Sequence, residues 1–335
     1  MPANLKLALV GCGAISDWHR RAIRTVDRIE ITTTVDVDPD RAKAAAEETG
    51  AAVFTSFEEA LREGEFDAVD LMLPHQHHEE FAIRALRSGK HVLLEKPMAP
   101  TLEACERILS AARDAGTVFM VAENAQYWPE ILIARELIES GRIGEVVTAR
   151  SQLYFPPLEA YYGGESPWRF DRERTGGGIA IDTGSHYIRP LRMWLGEIEE
   201  VVAAMGHPFR SMEGESLVRA LLRFCSGVVV SFDLLLADSP IAPQEMFRIT
   251  GTKGEISIGL KTLLYDSEHP RGVRVQEEIP QGYLLSYNGQ FEDFARAVLK
   301  GGSLAAGPEE SLGELRAALA MERSAHTGRW EKVWE

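Results

Sequence analysis

Leu5-Lys6-Leu7-Ala8-Leu9-Val10-Gly11-Cys12-Gly13-Ala14-Ile15-Ser16 is the stretch whose reading decides the fold. Leu5–Val10 is an almost continuous apolar run, short enough for an interior strand, and a glycine-rich turn follows it without a gap. The turn reads G-x-G-x-x-S: Gly11 permits the tight bend, Gly13 lets a pyrophosphate approach the backbone, and small Ser16 stands where a third glycine allows close helix–strand packing. Asp17 to Arg24 reads as a helix whose amino end faces the phosphates. Strand before and helix after is the context that turns a weak glycine pattern into a dinucleotide fingerprint.

Working outward, the same alternation repeats. Ile29–Val35 is a second strand, and Asp36 at its end stands where a ribose-binding acid belongs, with a simple turn role as the alternative. Asp38 reads instead as the N-cap of a helix that has Pro39 in its first turn. Ala52–Thr55 and Phe66–Leu73 follow as strands, separated by a helix that Ser56 and Glu59 open as a capping box. Helix Glu79–Ser88 stops at Gly89, strand His91–Leu94 ends in Glu95-Lys96-Pro97, and helix Thr101–Ala115 leads to strand Val118–Val121. This order predicts a doubly wound parallel sheet over residues 1–122. Ligands bind outside the carboxyl ends of such strands. Lys96 is therefore a candidate site residue, with a strand-end ion pair to Glu95 as the plainer alternative. His75-Gln76-His77-His78 has the composition of a metal site but no further ligands at metal spacing, so no metal is expected. A loop beside the nicotinamide, with one histidine fixing the turn into the helix, suits it better.

From residue 123 to 335 hairpins dominate. Expected strands are Gly144–Phe155, Ile198–Met205, Ser216–Phe224, Val228–Leu236, Met246–Thr250 and Glu255–Ile258, with turn signals at Ser226-Gly227 and Gly251-Thr252-Lys253-Gly254. The second domain is thus expected to be α+β with a large, mostly antiparallel open sheet. Alternation along Val218–Phe224 leaves one face for solvent or another subunit. Phe155–Thr175 reads as one long irregular loop rich in Pro, Tyr and Gly. After Gly176-Gly177-Gly178, the apolar spacing of Ile181, Ile188, Leu191 and Leu195 predicts one helix carrying Asp182 and His186 four apart on one face. Gly184 lies between them as a notch. A carboxylate and an imidazole at such a notch suit proton transfer, or simply stabilise an exposed helix.

Composition narrows the partners. Acidic residues outnumber basic ones 51 to 36, a formal charge of −15, which repels nucleic acid and anionic membranes. No apolar run is long enough to span a bilayer, and Met1-Pro2-Ala3-Asn4 leads into the first strand without a signal-peptide layout. Cys12, Cys105 and Cys225 have no paired spacing, so reduced thiols and a cytoplasmic setting are expected.

Taken together, Gly11-Cys12-Gly13-Ala14-Ile15-Ser16, Glu95-Lys96-Pro97 and Gly176-Gly177-Gly178-x-x-x-Asp182-x-Gly184-x-His186 resemble the glucose–fructose oxidoreductase/inositol dehydrogenase (Gfo/Idh/MocA) family. Gly89-Lys90-His91-Val92 and Gly251-Thr252-Lys253-Gly254 extend the likeness over nearly the whole chain. The resemblance implies a Rossmann domain, a second domain whose sheet often forms an oligomer interface (here a homodimer or homotetramer), and catalytic roles for Lys96, Asp182 and His186. Cofactor contacts are then expected at Gly11, Gly13, Ala14, Ile15 and Asp36, and at Pro74, His75, His78, Glu95 and Lys96, with NAD preferred over NADP. Substrate contacts are expected from Lys96, Tyr127, Trp168, Arg169, Asp182 and His186, with Trp128 as a further wall. Many relatives carry an acid where this chain has Arg189, so no substrate contact is assigned there. The expected reaction is hydride transfer between a nicotinamide and a secondary hydroxyl or ketone of a sugar, inositol or related polyol. An NAD-dependent glycosidase using transient oxidation and a non-catalytic nicotinamide-binding regulator are the alternatives.

Overall fold

A computed structural model describes residues 4–162, 167–276 and 282–335, and the chain divides into two units. Residues 1–3, and residues 163–166 of the Phe155–Thr175 segment, lie outside the described residues.

Met1–Asn124 and Leu284–Leu312 form the first unit. Its strands are β1 (Leu5–Val10), β2 (Ile29–Val35), β3 (Ala52–Phe54), β4 (Ala68–Leu71), β5 (His91–Glu95) and β6 (Phe119–Ala122). Between them run α1 (Ala14–Ile23), α2 (Pro39–Ala46), α3 (Phe57–Glu63), α4 (His78–Arg87) and α5 (Leu102–Ala115). All five strand pairs are parallel, in the order β3-β2-β1-β4-β5-β6. The order reverses between β1 and β4, and that switch point is where a doubly wound sheet opens a crevice for ligand. Helix starts follow local chemistry. Asp38 accepts from the Asp40 and Arg41 amides, Ser56 from Glu59 and Thr101 from Ala104. Every residue of β4 is buried, including a charged one, Asp70.

Ala125–Tyr283 and Gly313–Glu335 form the second unit. After α6 (Pro129–Glu139) and β7 (Val146–Phe155), the segment read as irregular folds into short helical pieces, α7 (Glu159–Tyr162), a 3₁₀ turn over Trp168–Phe170 and α8 (Arg172–Thr175). Asp171 explains part of this, because its carboxylate caps the amides of Glu173 and Arg174. The helix expected through Asp182 and His186 is two helices, α9 (Ile179–Asp182) and α10 (Ser185–Leu195). At the break the Gly184 amide donates to Ile179 O at 2.8 Å, one residue wider than an α-helical turn. A Cβ on Gly184 would lie 2.2 Å from Ala180 O, so this turn closes only without a side chain.

The rest of the unit is sheet: β8 (Ile198–Gly206), β9 (Leu217–Phe224), β10 (Val229–Leu236), β11 (Phe247–Gly251), β12 (Gly254–Ile258), β13 (Thr262–Asp266) and β14 (Val273–Gln276). Of the last two helices, α11 (Gly282–Lys300) belongs from Leu284 onward to the first unit and α12 (Ser311–Thr327) from Gly313 onward to the second, where β15 (Glu331–Lys332) completes a nine-stranded sheet. Its order is β14-β13-β12-β11-β7-β10-β9-β8-β15; β7 and β10 pair in parallel, and the remaining pairs are antiparallel. Burial alternates residue by residue along β9 and β10, so one face meets the core and the other does not.

Candidate active site

In the first unit the fingerprint has the form its glycines require. Gly11 has φ +91°, and a Cβ there would lie 2.3 Å from Met72 O, just past the end of β4. A Cβ on Gly13 would meet nothing within 4 Å, which leaves the backbone there open to approach by a phosphate. Ser16 is buried and donates to Gly13 O at 2.7 Å, closing the turn from within. Asp36 accepts from the Cys12 amide at 2.7 Å and from the Asp38 amide at 2.9 Å, so its carboxylate sits against the glycine turn. Burial pushes the Cys12 thiol up to about 12, with Asp36 adding to the effect, so it stays protonated and unreactive at neutral pH.

At the β5 end Lys96 is half-exposed and Glu95 is buried. The Glu95 carboxylate turns inward to His19 of α1, 3.1 Å from Nε2, while Asp70 of β4 holds Nδ1 at 2.8 Å. Tyr287 and Phe291 of α11 pack on the ring at 5.1 Å each. Burial disfavours a charged imidazole, but the two carboxylates outweigh it and raise the His19 pKa to about 10. With both carboxylates ionised, each ring nitrogen of His19 donates, which is the imidazolium form. Burial raises the Asp70 pKa despite the attraction of His19. Sequence reading missed His19 and Asp70. Their signal was a charged residue inside the apolar run Ala68-Val69-Asp70-Leu71.

The histidines after β4 divide their duties. His75 and His78 are buried, and the His78 ring nitrogens lie 2.8 Å from Pro97 O and 2.8 Å from Leu73 O. His78 therefore ties the end of β4 to the Glu95-Lys96-Pro97 turn. Burial holds its pKa below the usual imidazole value.

In the second unit Asp182 is buried, and Arg169 Nε donates to its Oδ2 at 3.3 Å. The Arg169 guanidinium lies over Trp168 at 4.3 Å and Tyr161 at 5.5 Å. His186 is half-exposed, with its ring 6.1 Å from that of Trp128. Trp128 Nε1 is buried without a hydrogen-bond partner among the described residues. Tyr127 is half-buried beside it in sequence. Arg169, Asp182, His186 and an aromatic wall thus belong to one unit. Arg189 has a different duty: it is buried and donates to Glu314 at 2.8 Å, and Arg192 pairs with the same carboxylate.

Residues 5–123 match the oxidoreductase family with an NAD-binding Rossmann fold, and residues 131–257 match the Gfo/Idh/MocA C-terminal domain. The chain belongs to the Gfo/Idh/MocA family. Among its relatives, 1,5-anhydro-D-fructose reductase of Ensifer adhaerens is 29% identical over 97% of each chain. An oxidoreductase from Thermotoga maritima is 31% identical over 98% of each chain, with a TM-score of 0.87. The WlbA dehydrogenase of Bordetella pertussis, solved with NADH and UDP-GlcNAcA, is 27% identical over 98% of each chain, also with a TM-score of 0.87. Membership makes this chain a nicotinamide-dependent oxidoreductase in which residues 5–123 carry the NAD-binding Rossmann fold. No helix among the described residues is long and apolar enough to cross a membrane.

Proposed function

We propose that the protein is an NAD-dependent dehydrogenase or reductase acting on a secondary hydroxyl or ketone of a sugar or related polyol. The observation that carries the cofactor choice is the Asp36 carboxylate, fixed by the Cys12 amide at 2.7 Å beside the open backbone of Gly13. A pyrophosphate fits that backbone, and a fixed anion at the β2 end accepts from ribose hydroxyls while repelling a 2′-phosphate. Gly11, Gly13, Ala14, Ile15 and Asp36 would hold the adenosine half. Pro74, His75, Glu95 and Lys96 would line the nicotinamide half, with His78 acting through the turn it braces. When bound, the nicotinamide supplies the hydride acceptor or donor.

The chain's own residues handle the proton and the oxygen. In alcohol oxidation His186 takes the hydroxyl proton as general base. Lys96 supplies an ammonium donor that stabilises negative charge growing on a substrate oxygen. Asp182 orients the imidazole or the substrate. Arg169 neutralises part of that carboxylate and offers its remaining N–H donors to hydroxyl groups. Tyr127, Trp128 and Trp168 supply apolar ring faces for a sugar. The names of the reductase and of the UDP-GlcNAcA-bound dehydrogenase support a carbohydrate substrate.

The test is a panel of aldoses, anhydro-sugars, inositols and their keto forms with NAD, NADP, NADH and NADPH, following absorbance of the reduced cofactor. Turnover with NAD or NADH on at least one polyol is the expected result. Binding of NADH without turnover on any of them would overturn the proposal.

A further inference from the structure

The Gly176-Gly177-Gly178 run has a chemical partner that lies 37 residues beyond Gly178. Glu215 is buried and accepts from three successive amides. Its Oε2 takes Gly178 N at 2.9 Å, its backbone oxygen takes Ile179 N at 2.9 Å, and its Oε1 takes Ala180 N at 2.9 Å. These are the amides that open α9, where a carboxylate is a favourable acceptor; burial raises the Glu215 pKa, and the Ala180 and Gly178 amides oppose that rise. Asp182 lies two residues beyond the last of them.

The glycines are required by the contact itself. A Cβ on Gly178 would lie 2.1 Å from Glu215 O, and one on Gly214 would lie 2.5 Å from Gly178 Cα. The two backbones can approach this closely only because both positions lack a side chain. The neighbouring Glu213 amide donates to Phe170 O at 2.9 Å, next to Arg169. One short segment, Glu213-Gly214-Glu215, therefore fastens the approaches to both Arg169 and Asp182.

We propose that Glu215 is a positioning residue, whose carboxylate sets where the α9–α10 break presents Asp182 and His186. The proposal builds on the dehydrogenase reading given above. The hydrogen bonds of the Glu215 carboxylate described here run to the Gly178 and Ala180 amides, so it acts through the turn it holds. A displacement of about 1 Å at reacting groups lowers turnover by about a hundredfold. A side-chain amide cannot replace the carboxylate, because its NH₂ would face one of two N–H donors.

Glu215→Gln is the decisive variant, with Ser324→Ala as a comparison. Ser324 is buried in the same unit, accepts from Ala203 N at 2.9 Å and lies outside the site. Glu215→Gln is expected to lower kcat by about 10–100-fold, with substrate KM and the NADH Kd each within about threefold. Amide hydrogen exchange should rise selectively at residues 178–180. Ser324→Ala should lower Tm without the kcat loss. Full kcat in Glu215→Gln, or an equal loss in a Ser324→Ala protein of matched Tm, overturns the proposal. Inactivity of the unaltered protein on every polyol would sink the dehydrogenase reading instead. Exchange at residues 178–180 and the NMR titration of His186 would then decide the positioning role: unchanged values in Glu215→Gln refute it, and shifted values uphold it.

Discussion

His19→Gln should destabilise the protein far more than Asp70→Asn, although the two side chains share one hydrogen bond of 2.8 Å. The cluster holds two carboxylates against one imidazolium, all with little or no exposure. Raising an imidazole from 6.5 to about 10 corresponds to about 5 kcal/mol in favour of its charged form in the folded state. Removing that cation leaves two buried carboxyl groups without their charge partner, a change that costs about 3–5 kcal/mol. Neutralising Asp70 instead leaves a balanced Glu95–His19 pair and exchanges one charged hydrogen bond for a neutral one, at about 1 kcal/mol. Within the double variant, His19→Gln should cost less than it does alone, since only one anion remains. The sign with pH follows from the raised value. The His19 contribution is fully present below about 6.5 and is lost as pH climbs through about 10. Urea unfolding of the three variants and the unaltered protein measures this at neutral pH, and repeats between pH 7 and 10.5 test the pH trend. Equal costs for the two single variants, or a His19→Gln cost below about 1 kcal/mol, would refute the charge argument.

Three further outcomes follow. Asp36→Asn should reduce discrimination against NADP, because one charge at about 5 Å in an effective dielectric of 20 amounts to about 3 kcal/mol, a ratio of about a hundredfold; NAD and NADP titrations check it, and tighter NADP binding by the unaltered protein would refute it. His186→Ala should lower kcat by about 10²–10⁴-fold with NAD affinity unchanged, and Lys96→Arg should not restore Lys96→Ala, because a planar fork does not replace a point donor; near-normal turnover in His186→Ala would remove it as the base. The face of β9 and β10 turned away from the core, which exposes Leu221, should bury against a second copy, giving a dimer or tetramer in sedimentation at micromolar concentration; a monomer alone would count against that face.

The first unit was legible because its signals are local. The run Leu5–Val10, the glycine turn and the Asp38 cap each identify themselves within a few residues, and the strands repeat that logic in order. His19 was not legible for the opposite reason. It stands 51 residues from Asp70 and 76 from Glu95, so nothing near it in the chain reveals that it bridges two acids. Only Asp70 betrayed the arrangement, since an isolated carboxylate inside a fully buried strand needs a cation somewhere.

The second unit shows how periodicity can identify the right residues and still misplace the backbone. Ile181, Ile188, Leu191 and Leu195 do fall on buried positions, and Asp182 and His186 do lie on consecutive helices. Helical spacing assumes an unbroken turn, however, and Gly184 lets the chain close against Ala180 and begin again. The same residue types that suggest a ligand notch also permit a helix break, and sequence spacing does not separate the two. Gly178 makes the point more sharply. Nothing around it explains why it must lack a side chain until Glu215 and Gly214 are placed against it. If that contact is what the triple glycine is for, Gly178→Ala should reproduce the kcat loss of Glu215→Gln, because one change crowds the Glu215 backbone and the other removes an acceptor, and both disturb the start of α9. Gly13→Ala, in the other unit and with open space at its Cβ, should act on cofactor binding instead.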